Sequence, residues 1–158
     1  MYFVIWLALA VVAALVAARL GAFSGKAPAH LGVHDGKLKP PAKTPNSVSS
    51  QADLWPEAVQ KDNARIPPIA SQGDGKATMG KIAKVVEDLP GSHIVVRRDD
   101  YLYAQFTTPL MRFVDDVEFW FDPTAGVVQV RSASRVGRKD FGVNRARIEN
   151  IRARLGGA

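Results

Sequence analysis

Hydrophobic and polar positions divide the chain into three stretches of different character. Residues 1–18 (MYFVIWLALAVVAALVAA) carry no charge. At 1.5 Å rise per residue, about 18–23 helical residues cover a hydrocarbon core of about 30 Å. The run extends to Phe23 if Arg19 snorkels towards the interface, where Tyr2 and Trp6 also fit. Val16-Ala17-Ala18 resembles a small-residue cleavage site, which makes a signal peptide the rival reading. The apolar run is long for that role and lacks a basic leader, which favours a retained anchor over residues 1–23. Residues 24–50 have neither helical nor strand period and are rich in Gly, Pro, Ser and Lys, as expected of an extended linker with turns. Residues 51–158 then alternate as a folded domain does.

Within that domain, Met79, Ile82, Val85, Val86 and Leu89 form one face of a helix over 77–89, stopped by Pro90-Gly91. Strands are expected at 93–97, 101–108, 114–121 and 128–135, separated by turn residues. In the last hairpin, pairing Phe121 with Val128 sets Phe119 beside Val130 and Val117 beside Ser132. The other face then places Glu118 opposite Arg131 and Trp120 opposite Gln129. A final helix over 140–155 carries Val143, Ile148, Ile151 and Leu155 as its stripe. Asp140 or Asn144 caps it, Arg145, Glu149 and Arg152 face solvent, and Gly156-Gly157 ends it. Trp55, Ile66 and Ile69 are expected to tuck under the domain's edge. The fold class is α+β: a two-layer, four-stranded antiparallel meander with two helices on one face, after an N-terminal transmembrane helix and linker.

Charge sharpens this picture. The net +6 lies entirely after Val130: Arg131 to Ala158 hold eight Lys/Arg and two Asp/Glu, against thirteen of each before. A first candidate site is therefore an anion pocket where the last strand meets the last helix. Arg131, Arg135, Arg138 and Arg145 would supply charge, and Ser132, Ser134 and Asn144 neutral hydrogen bonds. The competing arrangement pairs Arg131 with Glu118, and alternation puts the serines on the face opposite Arg131 and Arg135. Asp115 points inward near Ser134 and Asp116 outward; Asp115 is either a general base or a structural carboxylate salt-bridged to Arg145. Residues 46–51 (NSVSSQ) offer hydroxyls and amides for a helix cap or a small-ligand site. His30 and His34 stand four apart among Pro28, Gly32 and Gly36, which argues against a helical metal site. Zero cysteines exclude disulfides, thiolate metal sites and a lipoprotein anchor. Phosphate-loop, dinucleotide and nucleophile-elbow motifs are absent, and the aromatics are not interleaved with the arginines as in nucleic-acid binders. No cofactor or metal is expected.

Three blocks together resemble domain-of-unknown-function family 1499: LGVHDGKLKPPAKTPNSVSSQA (31–52), YLYAQFTTPLMRFVDDVEFWFDP (101–123) and VRSASRVGRKDFGVNRARIENIRARL (130–155). The last is the most specific, with residues 131–135 (RSASR) followed by Gly137, Asp140, Gly142, Asn144 and Arg145. The resemblance implies a bacterial membrane-attached or exported protein, with chloroplast-lumen relatives and no assigned activity. It also implies a lost cysteine pair, since many members have cysteines where this chain has Pro41 and Ser47. The expected protein is a single-pass cell-membrane protein with a non-enzymatic binding or accessory domain. Its basic C-terminal face would meet an anionic lipid, an anionic ligand or a membrane-protein partner. The alternative is a hydrolase of an anionic substrate using Asp115 with Arg131, Arg135 and Arg145. The resemblance points the domain outside the cytoplasm, whereas the basic flank Arg19, Lys26, Lys37, Lys39 and Lys43 points it inside.

Overall fold

The computed structural model describes residues 2–71 and 73–156; Met1 of the expected anchor and Gly157 of the expected helix stop lie outside the described residues. Helix α1 (Tyr2–Arg19) stands largely exposed, and it is long and apolar enough to cross a membrane or to serve as a signal sequence. Helix α3 (Gly75–Glu87) begins two residues before the expected start because Asp74 caps it, its carboxylate accepting the Ala77 N–H at 2.6 Å. Strands β3 (Ser92–Arg97), β4 (Tyr101–Thr107), β5 (Val114–Asp122) and β6 (Val127–Ser134) follow, and α4 (Val143–Gly156) closes the chain.

Successive pairs among β3 to β6 are antiparallel, and the β5–β6 register matches the alternation argument residue for residue: Phe121 with Val128, Phe119 with Val130, Val117 with Ser132, Glu118 with Arg131, Trp120 with Gln129. The sheet has six strands, however, not four. Strand β1 (Ser47–Ser49), from the stretch expected to be linker, and β2 (Ile69–Ala70) both pair antiparallel with β6. Between them lie a 3-10 turn at Ala52–Leu54 and the one-turn helix α2 (Lys61–Ala64).

Helices α3 and α4 cover one sheet face. Met79, Ile82 and Val86 from α3 and Ile148, Ile151 and Leu155 from α4 meet Leu102, Phe106, Val117, Phe119 and Val130 in one apolar core. Each fully buried side chain of this size contributes about 1.5–3 kcal/mol. A β-bulge between Ile94 and Val96 sends Ile94 to this core and Val96 to the opposite face.

That opposite face is not solvent. Residues 31–41 lie across it as a strap, burying Leu38 against Tyr101 and Tyr103, with Leu31, Val33 and Trp120 packed around them. The strap is shaped by a two-residue turn, Asp35-Gly36, in which both residues have positive φ (51° and 70°) and His34 and Lys37 exchange backbone hydrogen bonds. Gln51 locks it in place: its side-chain oxygen accepts the Leu38 N–H at 2.8 Å and its amide donates to Gly36 O at 2.9 Å.

Candidate functional site

Inward-facing polar residues of β5 and β6 meet α4 in one network. Asp115, Ser132 and Ser134 share the helix-side face, and Asn144 is buried at the start of α4 above them. Arg147, one turn further on, donates to the Asp115 carboxylate, to Ser132 Oγ at 3.0 Å and to Asn144 Oδ1 at 2.8 Å. Its guanidinium also lies 4.7 Å from the Phe106 ring centroid. The Asn144 amide donates to Asn46 O and to Ser134 Oγ, both at 3.0 Å, tying β1 to the helix. The network therefore reads as a joint between layers, with each charge compensated.

A second charged set lies on the strap side. Glu118 is 0% exposed and Arg131 5%. One Glu118 oxygen accepts from Tyr101 OH and from the Gly32 N–H, each at 2.8 Å. The other lies 3.5 Å from Arg131 Nη1, and neither of these two atoms has a hydrogen-bond partner among the described residues, so charge holds that contact. Burial pulls the Arg131 guanidinium below its usual pKa even though Glu118 pushes it up, and burial with the Glu118 charge raises Tyr101. Asp116 and Arg135 form a forked pair, with Nε to Oδ2 at 2.8 Å and Nη2 to Oδ1 at 2.7 Å, and Tyr103 OH adds a 2.6 Å bond to the same carboxylate. The Asp116 hydrogen bond raises Arg135 above its usual pKa.

These placements correct the expected anion pocket. Arg131 and Arg135 lie on the sheet face away from the helices and are neutralised by Glu118 and Asp116. Arg138 is exposed in the β6–α4 loop, and Arg145 donates to the backbone oxygens of Asn63 and Arg65 at 3.0 and 2.9 Å. The four do not converge. Asp115, Ser132, Ser134 and Asn144 do come together, but the cation among them is Arg147, not Arg145. The hydrolase constellation of Asp115 with Arg131, Arg135 and Arg145 is therefore not assembled. Asp116, expected to face outward, is on that face but buried against Tyr103 and Arg135, and Val143, expected in the stripe of α4, is 48% exposed while Asn144 takes its place. Arg147 was findable: it follows Asn144 by three and precedes Ile151 by four, on the inward face. Residues 46–51 are structural, with Ser47, Ser49 and Gln51 buried. Ser47 Oγ accepts the Ala42 N–H at 2.9 Å, which closes the loop where the family resemblance placed a cysteine pair. Among the described residues no group of three or more His, Cys, Asp or Glu is placed to hold a metal ion.

The start of α4 is also filled from within. Asp140 accepts the N–H groups of Gly142 at 3.1 Å and Asn144 at 3.0 Å, taking the place an external anion would need. Burial pushes its pKa up, but the Asn144 and Gly142 hydrogen bonds outweigh that and leave it below the usual value. A lowered folded-state pKa means stability that is present above the unfolded value and lost as pH falls through the folded one. Asp140→Ala is expected to cost about 0.5–2 kcal/mol at neutral pH and to flatten the loss of stability on acidification below the ordinary aspartate range. Thermal unfolding of both proteins across acidic pH checks this; parallel pH curves would contradict it.

At the end of the sheet nearest α1, the 108–113 loop and the 135–142 loop lie side by side. Phe23, just past α1, packs on Phe113 with ring centroids 5.9 Å apart. Gly25, in the left-handed region at φ 66°, passes so close to the second loop that a Cβ there would lie 2.8 Å from Arg135 Cβ. Leu110 is 64% exposed and Phe141 93%, and Phe141 holds a positive φ of 53° despite its bulk. Lys26, Arg112, Arg138 and Lys139 are exposed on the same segments, and none forms an ion pair among the described residues. Cavities open here between Thr108, Phe113, Ser134, Lys139 and Phe141, about 290 Å³, and between the β4–β5 loop and α4, about 520 Å³.

An apolar N-terminal helix, a strap-covered antiparallel sheet and a polar joint under the last helix define this as an α+β domain stabilised by buried ion pairs on both sheet faces. The chain belongs to the family described as Protein of unknown function (DUF1499), which matches residues 37–155. That span takes in residues 37–41 of the strap and every strand of the sheet. No curated protein and no solved structure matches the chain.

Proposed function

We propose that the protein is a membrane-anchored, non-enzymatic binding domain that rests its α1-proximal end on anionic lipid. One observation carries the reading: Lys26, Arg112, Arg138 and Lys139, exposed and outside the ion pairs of the described residues, gather with the exposed Leu110 and Phe141 at one end, and Phe23 on Phe113 ties that end to α1. Each Lys or Arg held near an anionic surface is worth about 1 kcal/mol, and Leu110 and Phe141 add burial at the headgroup boundary, roughly 5–10 Å deep. On this reading α1 is retained as a single-pass anchor of the cell membrane, with the domain on the extracytoplasmic side, as the family resemblance implies.

The cysteine-free chain makes the test clean. Full-length Phe141→Cys, Leu110→Cys and Thr124→Cys, each spin-labelled, are reconstituted in phosphatidylglycerol and in phosphatidylcholine vesicles. Labels at 141 and 110 are expected in the headgroup region of the anionic vesicles, withdrawing at high salt as charge is screened, while 124, in the turn at the far end, stays in water. Labels at 141 and 110 that remain aqueous in every vesicle, or a mature chain that begins at Arg19, would overturn the reading. Thr124→Cys on intact cells also reports sidedness: reaction with an impermeant maleimide is expected, and protection would place the domain inside.

A further inference from the structure

The groove of about 520 Å³ between the β4–β5 loop and α4 is lined largely by carbon, with Leu89, Phe106, Pro109, Val143 and Ala146 among its walls. It shares Thr108 and Val143 with the second cavity, which continues to Phe113, Lys139 and Phe141 at the exposed rim. The two adjoin at Thr108 and Val143, one at the α1-proximal end and the other along the side of α4. The groove's size falls in the range of about 300–1,000 Å³ typical of small-molecule sites.

Two features select the occupant. The wall offers few free hydrogen-bonding groups: Thr107 N–H is bonded to Gly91 O at 2.8 Å, Thr108 N–H to Phe113 O at 2.9 Å, and Thr108 Oγ1 accepts from Phe113 N at 3.0 Å. A peptide laid there would leave its own amides unpaired, whereas a methylene chain needs no partner. The buried charges in the walls are already committed, Arg147 to Asp115, Ser132 and Asn144, and Asp140 to the Gly142 and Asn144 N–H groups, while Lys139 stands exposed at the mouth.

We propose that this groove takes one acyl chain of an anionic phospholipid drawn from the bilayer, with the phosphate remaining at the rim beside Lys139 and Arg138. The proposal rests on the reading that the rim lies on the membrane, which is the source of the lipid. The chain enters between Phe141 and Phe113 and lies along Val143 and Ala146. Lipid and domain then share an apolar surface, and the exposure of Val143 and Phe141 is relieved.

The test uses the full chain in phosphatidylglycerol vesicles carrying a diazirine at the end of one acyl chain, followed by irradiation and peptide mapping. Crosslinks are expected in α1 and in the segments 89–90, 106–109 and 143–150. Ala146→Trp fills the groove from an exposed helical position, and its groove crosslinks are expected to fall by about tenfold, the loss from displacing two chain methylenes, while those in α1 stay. Val143→Trp should do the same. Crosslinks confined to α1, or groove crosslinks indifferent to both substitutions, would overturn the proposal. The spin label at residue 141, measured together with the crosslinks on the chain that keeps Ala146, separates the two readings. An embedded label with no groove crosslinks sinks the acyl-chain site alone; an aqueous label sinks the membrane-resting reading and the site's lipid source with it.

Discussion

Glu118→Ala is expected to lower the stability of the domain by about 3–5 kcal/mol, the range for breaking a buried ion pair by removing one partner. The cause is what remains. Arg131 would stay 5% exposed with its guanidinium beside a void, its other contact being the long one from Nε to Pro40 O at 3.4 Å. Tyr101 OH and the Gly32 N–H would each lose their acceptor in the same step. The strap would therefore loosen together with the sheet face it covers. Denaturant unfolding of the full chain in mild detergent, followed by tryptophan fluorescence, should show a lower midpoint with an unchanged slope. The double variant Glu118→Leu with Arg131→Met should recover the part of the loss due to the unpaired charge, since apolar residues of similar volume replace buried pairs at little cost, while Tyr101 OH and the Gly32 N–H still lack their acceptor. A single-variant loss under about 0.5 kcal/mol would match a surface change and would mean that the strap does not seal this face.

That the strap escaped the sequence reading has a physical reason. Alternation in β4, β5 and β6 separates two faces, and it identified the face of Leu102, Phe106, Val117 and Phe119 correctly. It cannot say whether the other face meets water or chain. By sequence Arg131 and Arg135 are pocket candidates and Asp116 faces outward, yet the signs of Asp116, Glu118, Arg131 and Arg135 are complementary across neighbouring strands, and Tyr101 and Tyr103 stand among them. Complementary charges interleaved with tyrosines are what a covered polar face requires. Strand β1 was hidden for a related reason. Its sequence, Ser47-Val48-Ser49, carries one apolar residue, and its place in the sheet comes from pairing with β6 and from Asn46 and Gln51 reaching to Gly137, Gly36 and Leu38, none of which leaves a local period. The β5–β6 register, by contrast, was legible because one slip would have buried Glu118 among Phe119's neighbours.

The basic C-terminal segment needs the same care. Its excess charge is real, but Arg131, Arg135 and Arg147 face acids from β5, and Arg145 and Arg152 face backbone oxygens between Asn63 and Pro68. Counting charge along the chain overstates what a partner would meet. Arg154 stays exposed near the end of α4, and Arg138 and Lys139 gain meaning only beside Lys26 and Arg112, which come from other parts of the chain and are gathered by the packing of Phe23 and Gly25.

Arg147→Met should cost a similar amount, about 3–5 kcal/mol, for a different structural reason. Methionine keeps the length that packs on Phe106, so the loss isolates the guanidinium. Asp115 would be left buried without a counter-ion, and Ser132 and Asn144 would each lose a donor in the joint between β6 and α4. Arg147→Lys keeps the charge but offers no planar fork, so it should recover only part of the stability. Adding Asp115→Asn to Arg147→Met should restore more, because a neutral amide buried there needs hydrogen bonds but no opposing charge. The resulting double-mutant cycle should give an interaction energy at the upper end of about 0.5–3 kcal/mol. An additive cycle would mean that Arg147 acts through packing alone. Because α4 also walls the proposed acyl groove, the cycle has a functional counterpart: Arg147→Met with Asp115→Asn, once refolded, should keep the groove's crosslinks, since the chain contacts carbon rather than the charge beneath it.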